Sequence, residues 1–320
     1  YKRQTYDGAP VVEAGSVVGE HLALVAGNDG EAGVGAKAGI GLYLSPDPNV
    51  TTGDTQLSDG KADLPALGIA EFSAVPLPAG AAIPQGVGTG PAYLGAVLDY
   101  TDVITEKSEK DNAAAAPVLV LPQGPYTWTV TSAADTTEFV TLRLALTYAR
   151  AGDHIQFSED IFWSGAPTVI SLTQALPELD QGELIIDATN RGVILDGSAL
   201  PSGSAGLAIR SSQNQITGLE IRYAPSTGLS VVGDRNLIGR SSAADCDIPE
   251  PAGPPSQAAN LIRDNAGTGL YVQGSGNEIK GNHVYSNGLH GISIDSGSEN
   301  EVGSSRPGDG NVVSGNGSIG

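Results

Sequence analysis

Gly206-Leu-Ala-Ile-Arg-Ser-Ser-Gln-Asn-Gln-Ile-Thr-Gly-Leu-Glu-Ile-Arg222, followed by Gly228-Leu-Ser-Val-Val-Gly-Asp-Arg-Asn-Leu-Ile-Gly239, decides the fold of the larger part of the chain. Placed in register on Gly206, Gly228, Gly269 and Gly291, these stretches form a repeat. The first two glycines and the last two each stand 22 residues apart, the length of one coil of a parallel β-helix. One residue after each glycine comes Leu207, Leu229, Leu270 or Ile292, and three after it Ile209, Val231, Val272 or Ile294. Further on stand Asn214, Asn236 and Asn277, with Asn300 displaced by one place, and two residues beyond each asparagine Ile216, Ile238, Ile279 or Val302. A third aliphatic strand follows in Leu219–Arg222, Asn260–Arg263, Asn282–Tyr285 and Asn311–Ser314. Three short strands per coil, apolar inward and variable outward, bury nothing alone but build columns when stacked. The asparagines fall where the chain must bend, so their amides are expected to bond from coil to coil as a ladder.

Working outward, the coil from Gly228 to Gly269 is too long by a stretch rich in proline and serine between Gly239 and Gln257, which reads as a surface loop and carries the one cysteine, Cys246. A smaller insertion surrounds Gly303–Gly310, and the last coil stops in mid-pattern at Gly320, as expected of a chain that ends inside a longer helix. Upstream, Tyr126–Thr131 reads as a strand. Glu138–Arg150, rich in Leu, Ala and Arg and stopped by Ala151-Gly152, reads as a short helix able to cover the open end of the solenoid. His154–Phe157, Thr168–Leu172, Glu183–Asp187 and Val193–Asp196 are the first coil strands. Val130-Thr-Ser-Ala-Ala-Asp135, Leu142-Arg-Leu-Ala-Leu146 and Asp153-His-Ile-Gln-Phe157 stand in the order found in secreted proteins with a CSLREA-type start. Residues 126–320 therefore resemble the right-handed parallel β-helix proteins of the pectate-lyase-like superfamily, a resemblance that implies fold and leaves activity open.

The first half follows different rules. Leu22–Val25, Gly39–Leu44 and Tyr93–Leu98 have strand length and are separated by turn clusters such as Asn28-Asp-Gly30 and Ser45-Pro-Asp-Pro-Asn49, the pattern of a small β-sandwich. Gly27-Asn-Asp-Gly30, Gly41-Leu-Tyr-Leu-Ser-Pro-Asp47 with Thr52-Gly-Asp54, and Tyr93–Asp99 through Val103–Glu106 to Glu109-Lys-Asp-Asn112 make residues 10–112 resemble the CARDB family. These are immunoglobulin-like modules of bacterial and archaeal surface proteins, and the resemblance implies a role in cell adhesion. The expected organisation is a sandwich over 1–112, a linker over 113–125 suggested by its alanines and prolines, and a β-helix over 126–320.

Composition narrows the function. Thirty-six acidic against 16 basic residues give a formal charge of −20, which opposes phosphate backbones and sets nucleic-acid partners aside. Forty-four glycines, 20 prolines and 5% aromatic residues suit many tight turns around an aliphatic core. A single cysteine excludes an internal disulfide framework and a multi-thiolate metal site. No apolar run is long enough to cross a bilayer as a helix. The sequence has no methionine and no signal peptide, and is read as a mature or trimmed piece of a longer protein. Its acidity suits a secreted or cell-surface location.

Enzymes of the resembled superfamily act on polysaccharides through carboxylates or calcium on the outer face of neighbouring coils. The register predicts outward columns Glu220, Leu261, His283, Val312 and Arg222, Arg263, Tyr285, Ser314 on one sheet. On another it predicts Ala208, Ser230, Tyr271, Ser293 and Arg210, Val232, Gln273, Asp295. No column stacks carboxylates on successive coils, so no catalytic residue is assigned. Arg222, Arg263 and Tyr285, beside Glu220 and His283, form the candidate ligand-binding face. Two guanidiniums about 4.8 Å apart need anions, and these come either from an acidic sugar or from Asp264 and Glu220 as an ordinary surface network. Asp47, Asn49 and Asp54 offer oxygens of the kind calcium takes, although turns select the same residues; calcium is the one candidate cofactor. Asp187 and Asp196 close successive strands and are expected in turns. Asn49-Val-Thr51 and Asn316-Gly-Ser318 match the glycosylation pattern and decide nothing alone.

The sequence thus predicts an all-β chain, an N-terminal immunoglobulin-like β-sandwich plus a C-terminal right-handed parallel β-helix with a short N-terminal capping helix. The expected function is an extracellular structural or adhesion protein, a rigid rod that meets a polysaccharide or a neighbouring surface protein. Self-assembly through open coil ends is a further expectation. A polysaccharide lyase, epimerase or glycosidase is the alternative.

Overall fold

Parallel strands one coil apart explain most of the architecture. The computed structural model describes residues 3–6, 11–28, 38–102, 104, 112–137, 140–239, 258–306 and 308–318. The turn expected at Asn28-Asp-Gly30 beyond its first residue, the charged stretch 105–111, the surface loop expected between Gly239 and Gln257 with Cys246, and Ile319–Gly320 lie outside them. The chain divides into two units, Tyr1–Gln123 and Gly124–Gly320.

In the second unit three parallel sheets of seven, six and four strands wrap one core. Each inward column is a run of aliphatics in direct register. Trp128, Ile155, Ile186, Ile216, Ile238, Ile279 and Val302 form one; Ile170, Leu195, Ile221, Ile262, Val284 and Val313 form another. The four-stranded sheet stacks Leu207, Leu229, Leu270 and Ile292. Its outward Ala208–Ser230–Tyr271–Ser293 column is as the register predicts. The neighbouring column is corrected at its last step: a bulge between Val272 and Gln273 places Gln273 opposite Ser296 rather than Asp295. Asp295 bonds instead to the Tyr271 hydroxyl at 3.1 Å.

The expected ladder is present: the Asn214 amide N–H donates to Asn236 Oδ1 at 2.9 Å, Asn236 to Asn277 at 2.9 Å and Asn277 to Asn300 at 2.9 Å. Two further ladders stand at the other corners. Leu219 N donates to Asn260 Oδ1 at 3.1 Å, Asn260 Nδ2 to Asn282 Oδ1 at 3.0 Å and Asn282 N to Asn311 Oδ1 at 2.9 Å. Ala224 donates to Asn265 at 2.9 Å, Asn265 to Asn287 at 3.2 Å and Asn287 to Asn316 at 3.0 Å. The amide of Asn316 is thereby committed to the scaffold, which answers the glycosylation motif there.

The start of the unit is held by two aspartates. Buried Asp153 accepts from Tyr126 N at 2.7 Å, Trp128 Nε1 at 2.9 Å and Arg150 N at 2.9 Å. Asp135 accepts from Arg143 Nε at 2.7 Å and Thr173 N at 3.0 Å, while the Arg143 guanidinium also caps the Gln174 and Ala175 carbonyls, each at 2.8 Å. The helix spans Leu142–Tyr148, shorter than the sequence predicts because Thr141 caps it, its hydroxyl accepting from Leu144 N at 3.1 Å. It lies against Thr127–Val130, the terminal strand of the seven-stranded sheet, with Leu142, Leu144, Ala145 and Leu146 buried.

The first unit is a two-sheet sandwich. Arg3–Tyr6, Leu22–Asn28 and Glu71–Val75 form one sheet. The other runs in the order Val11–Glu13, Ala113–Leu121, Gly90–Leu98, Gly39–Ser45, Thr55–Asp63. Leu24, Ile40, Leu42, Leu94, Val118 and Val120 fill the core. The expected linker over 113–125 is corrected, because Ala113–Leu121 is a full strand. Its tolerance of Pro117 follows from pairing: residues 113–120 pair with Gly90–Val97, but only Leu119–Leu121 also pair with Val11–Glu13, so the missing N–H of Pro117 falls where no second strand pairs among the described residues. Val50, from the turn after Gly39–Ser45, packs on the outside of this sheet with Tyr43 and Val97. Gly95 leaves room for it: a Cβ there would lie 2.6 Å from Val50 Cγ2 and 2.8 Å from the Ala114 carbonyl.

Two outcomes follow. Asn277→Ala strands the buried Asn236 N–H and the Gly233 carbonyl; at about 1–3 kcal/mol per unsatisfied group, thermal unfolding moves down by several degrees and the Asn236 amide loses hydrogen-exchange protection. Gly95→Val overpacks the Val50 contact and lowers stability in a denaturant titration by about 1–3 kcal/mol.

Candidate functional site

The outer face of the six-stranded sheet is built by Thr168–Ser171, Val193–Asp196, Leu219–Arg222, Leu261–Arg263, His283–Tyr285 and Val312–Ser314. Because strand side chains alternate, burying Leu195, Ile221, Ile262 and Val284 turns their neighbours outward. One outward column reads Ser171, Asp196, Arg222, Arg263, Tyr285, Ser314. The next reads Val169, Ile194, Glu220, Leu261, His283, Val312. The structure thus brings Arg222, Arg263 and Tyr285 together as the sequence predicts, with Glu220 beside them. His283 shares the Glu220 column but lies two coils away, beyond Leu261.

Carboxylates of the chain itself separate the stacked guanidiniums. Glu220 Oε1 accepts from Arg263 Nη2 at 2.7 Å and Nε at 3.1 Å, and from Arg222 Nη1 at 3.4 Å. Asp196 Oδ2 accepts from Arg222 Nε at 3.0 Å, and Asp264 pairs with Arg263 Nη1. Burial works against the Arg263 charge, but Asp264 and Glu220 overcome it and raise its pKa. Burial likewise pushes Asp196 up; bonds from Ser198 and Arg222 outweigh it and hold the carboxyl below its usual range. Asp196 therefore does two jobs. Its Oδ1 closes the expected turn by accepting from Ser198 N at 3.1 Å, and its other oxygen anchors Arg222. Asp187 makes the corresponding turn to Thr189 N at 2.9 Å.

Sequence reasoning missed Tyr223. Its ring lies 5.2 Å from the Arg222 guanidinium and 6.0 Å from that of Arg263. Its backbone is left-handed, φ 55°, and the residue is 43% exposed. The signal available was its position: the equivalent residues of the next three coils are Asp264, Ser286 and Gly315, small or polar types suited to that conformation.

The two aspartates of the candidate calcium set bond within their own turn. Asp47 Oδ1 accepts from Asn49 N at 2.8 Å, and Asp54 Oδ2 accepts from Thr51 N at 2.7 Å and Thr51 Oγ1 at 3.1 Å. Among the described residues no three His, Cys, Asp or Glu side chains are grouped to hold a metal ion, and no helix is long and apolar enough to cross a membrane.

Residues 181–319 match the family described as right handed beta helix region. The second unit is a right-handed parallel β-helix. No curated protein matches the sequence. Among solved structures, the chain is similar to the CARDB domain of a Pyrococcus furiosus protein in complex with di-metal ions, at 18% identity over 38% of this chain and 88% of that one, with a TM-score of 0.27. It is also similar to the pectate lyase Pel9A, at 14% identity over 55% of this chain and 46% of that one, with a TM-score of 0.38. The chain thus spans under half the length of that lyase.

The electrostatics of the β-helix face give a pH dependence. Asp196 has a depressed folded pKa, so the stability it contributes is complete above the ordinary carboxylate range, near pH 4, and is lost as pH falls through its folded value. Asp196→Asn keeps the turn but not the charge. Thermal melts of the wild type therefore fall more steeply than those of the variant as pH drops below about 4.

Proposed function

We propose that this chain is an extracellular or cell-surface structural or adhesion protein, in which the β-helix is a rigid scaffold presenting a polysaccharide-recognising face and the sandwich is a spacer or docking module. The observation that carries this reading is the state of the carboxylates on that face. Asp196, Glu220 and Asp264 each hold an arginine. A hydrolase needs a protonated acid and a separate base or nucleophile, and a lyase needs a carboxylate set open to calcium with a base beside it. Carboxylates fixed in a salt-bridge network instead make a preorganised surface, the property that recognition rewards. The solenoid supports the same reading, since stacked coils present long, regular faces suited to extended ligands.

The test is a glycan array probed with the purified chain, with and without calcium, followed by incubation of every bound polymer and analysis for cleavage. Binding without new reducing ends or unsaturated uronates is expected, and it is lost in the double variant Arg222→Ala/Arg263→Ala. Appearance of cleavage products would replace this reading with a polysaccharide lyase or hydrolase.

A further inference from the structure

We infer that the glycan taken by this face is an uncharged polysaccharide, and that Tyr223 is the platform on which one of its sugar rings stacks. The inference rests on the recognition reading above and adds the ligand class and the residue.

Charge supplies the first argument. Asp196, Glu220 and Asp264 face Arg222 and Arg263, three anions against two cations, and bonds of 2.7–3.4 Å join Glu220 and Asp196 to the guanidiniums. A uronate would have to displace an internal carboxylate from a fixed geometry, on a chain whose formal charge is −20. Sugar hydroxyls meet no such barrier. A carboxylate oxygen accepts more than one hydrogen bond, so the three carboxylates remain acceptors for hydroxyl donors even while they hold the arginines.

The backbone supplies the second. At the position of Tyr223 the following coils place Asp264, Ser286 and Gly315, with φ of 56°, 56° and 63°. Aspartate, serine and glycine are small or turn-forming residues, whereas a bulky aromatic in the left-handed region is an outlier that persists where something else requires it. The corner accounts for the conformation, since Ala224 N donates to Asn265 Oδ1, but not for an aromatic in it; what the aromatic achieves is visible, for the ring sits against Arg222 and Arg263 and still leaves Tyr223 43% exposed. An aromatic ring held by two anchored guanidiniums offers flat contact area with little conformational entropy left to lose. Tyr285, two coils from Arg222 in the same column, stands about 10 Å further along the sheet, within reach of a sugar chain that starts at Tyr223.

The experiment is affinity electrophoresis and calorimetry of the whole chain against uncharged polymers (β-glucan, galactomannan, arabinoxylan) and polyuronates (polygalacturonate, alginate), at about 50 and 500 mM NaCl, where screening differs strongly. The expected result is binding of an uncharged polymer with less than about a twofold change in affinity with salt. Tyr223→Gly, which suits the left-handed backbone, weakens binding by about tenfold or more while its circular dichroism melt still shows a folded chain. Tyr223→Phe weakens it by less, and Tyr271→Ala, on a different sheet, leaves it unchanged. Preference for a polyuronate with affinity that collapses in salt, or uncharged binding indifferent to Tyr223→Gly, overturns this inference and leaves the recognition reading standing. Binding to neither class overturns both.

Discussion

A polypeptide that turns a corner in a β-helix leaves backbone N–H groups pointing along the axis with no strand to receive them, and in this protein the side-chain carbonyl of an asparagine one coil later receives them. The bond is short, 2.9 Å at Asn214, Asn236 and Asn277, and it is buried, Asn236, Asn260, Asn277 and Asn282 being fully removed from solvent. A buried hydrogen bond of this kind adds only about 1 kcal/mol net. Its importance is the alternative: an orphaned amide at each corner that a ladder serves. The residue before the asparagine accepts a left-handed conformation to aim the amide, as at Gln213, Arg235, Asp264, Ser286 and Glu299. The ladders are better regarded as a condition on which coils can exist than as the source of their stability, which lies in the aliphatic columns.

Fixed corners have an effect at the surface. Once coil spacing and register are set inside, outward side chains have no choice of neighbour. Arg222 must sit beside Arg263 because Ile221 sits beside Ile262. The salt-bridge network of Asp196, Glu220 and Asp264 is the local answer to a juxtaposition imposed by the core. The strand positions of this face take their geometry from packing, and the corner residues Tyr223 and Asp264 complete it.

Much of this was legible in the chain because a solenoid writes its register in sequence. Glycines and aliphatics at constant offsets gave the coils, and the columns read from them matched the observed pairing except where a bulge intervened at Gln273. Two ladders are less legible, because Asn260, Asn282 and Asn311 stand at the boundary of an aliphatic strand and Asn265, Asn287 and Asn316 in the turn after it, where asparagine is common for turn formation alone. Ala113–Leu121 was hidden for a different reason. Alanine and proline carry little strand preference of their own, and only the neighbouring Gly90–Leu98 strand makes a β-strand of them. Tyr223 and the second role of Asp196 depend on side-chain direction between coils, which spacing along one chain does not encode.

The ladders also point one way. Each rung accepts on its side-chain oxygen from the coil before it, and its side-chain amide returns a bond to a carbonyl of that earlier coil, as Asn236 Nδ2 does to Ser211 O and Asn277 Nδ2 to Gly233 O, so a corner is completed by residues that follow it in the chain. A ribosome adds about 5–20 residues each second, and a partner 22 residues later, as for Asn214 and Asn236, is therefore absent for roughly 1–4 s while the growing chain waits. The corner at Asn236 waits longest of the first three in its ladder, because Asn277 comes 41 residues behind it. During translation the coil that precedes residues 240–257 is thus the one whose buried amides stay open to water, and to wrong partners, for the greatest time.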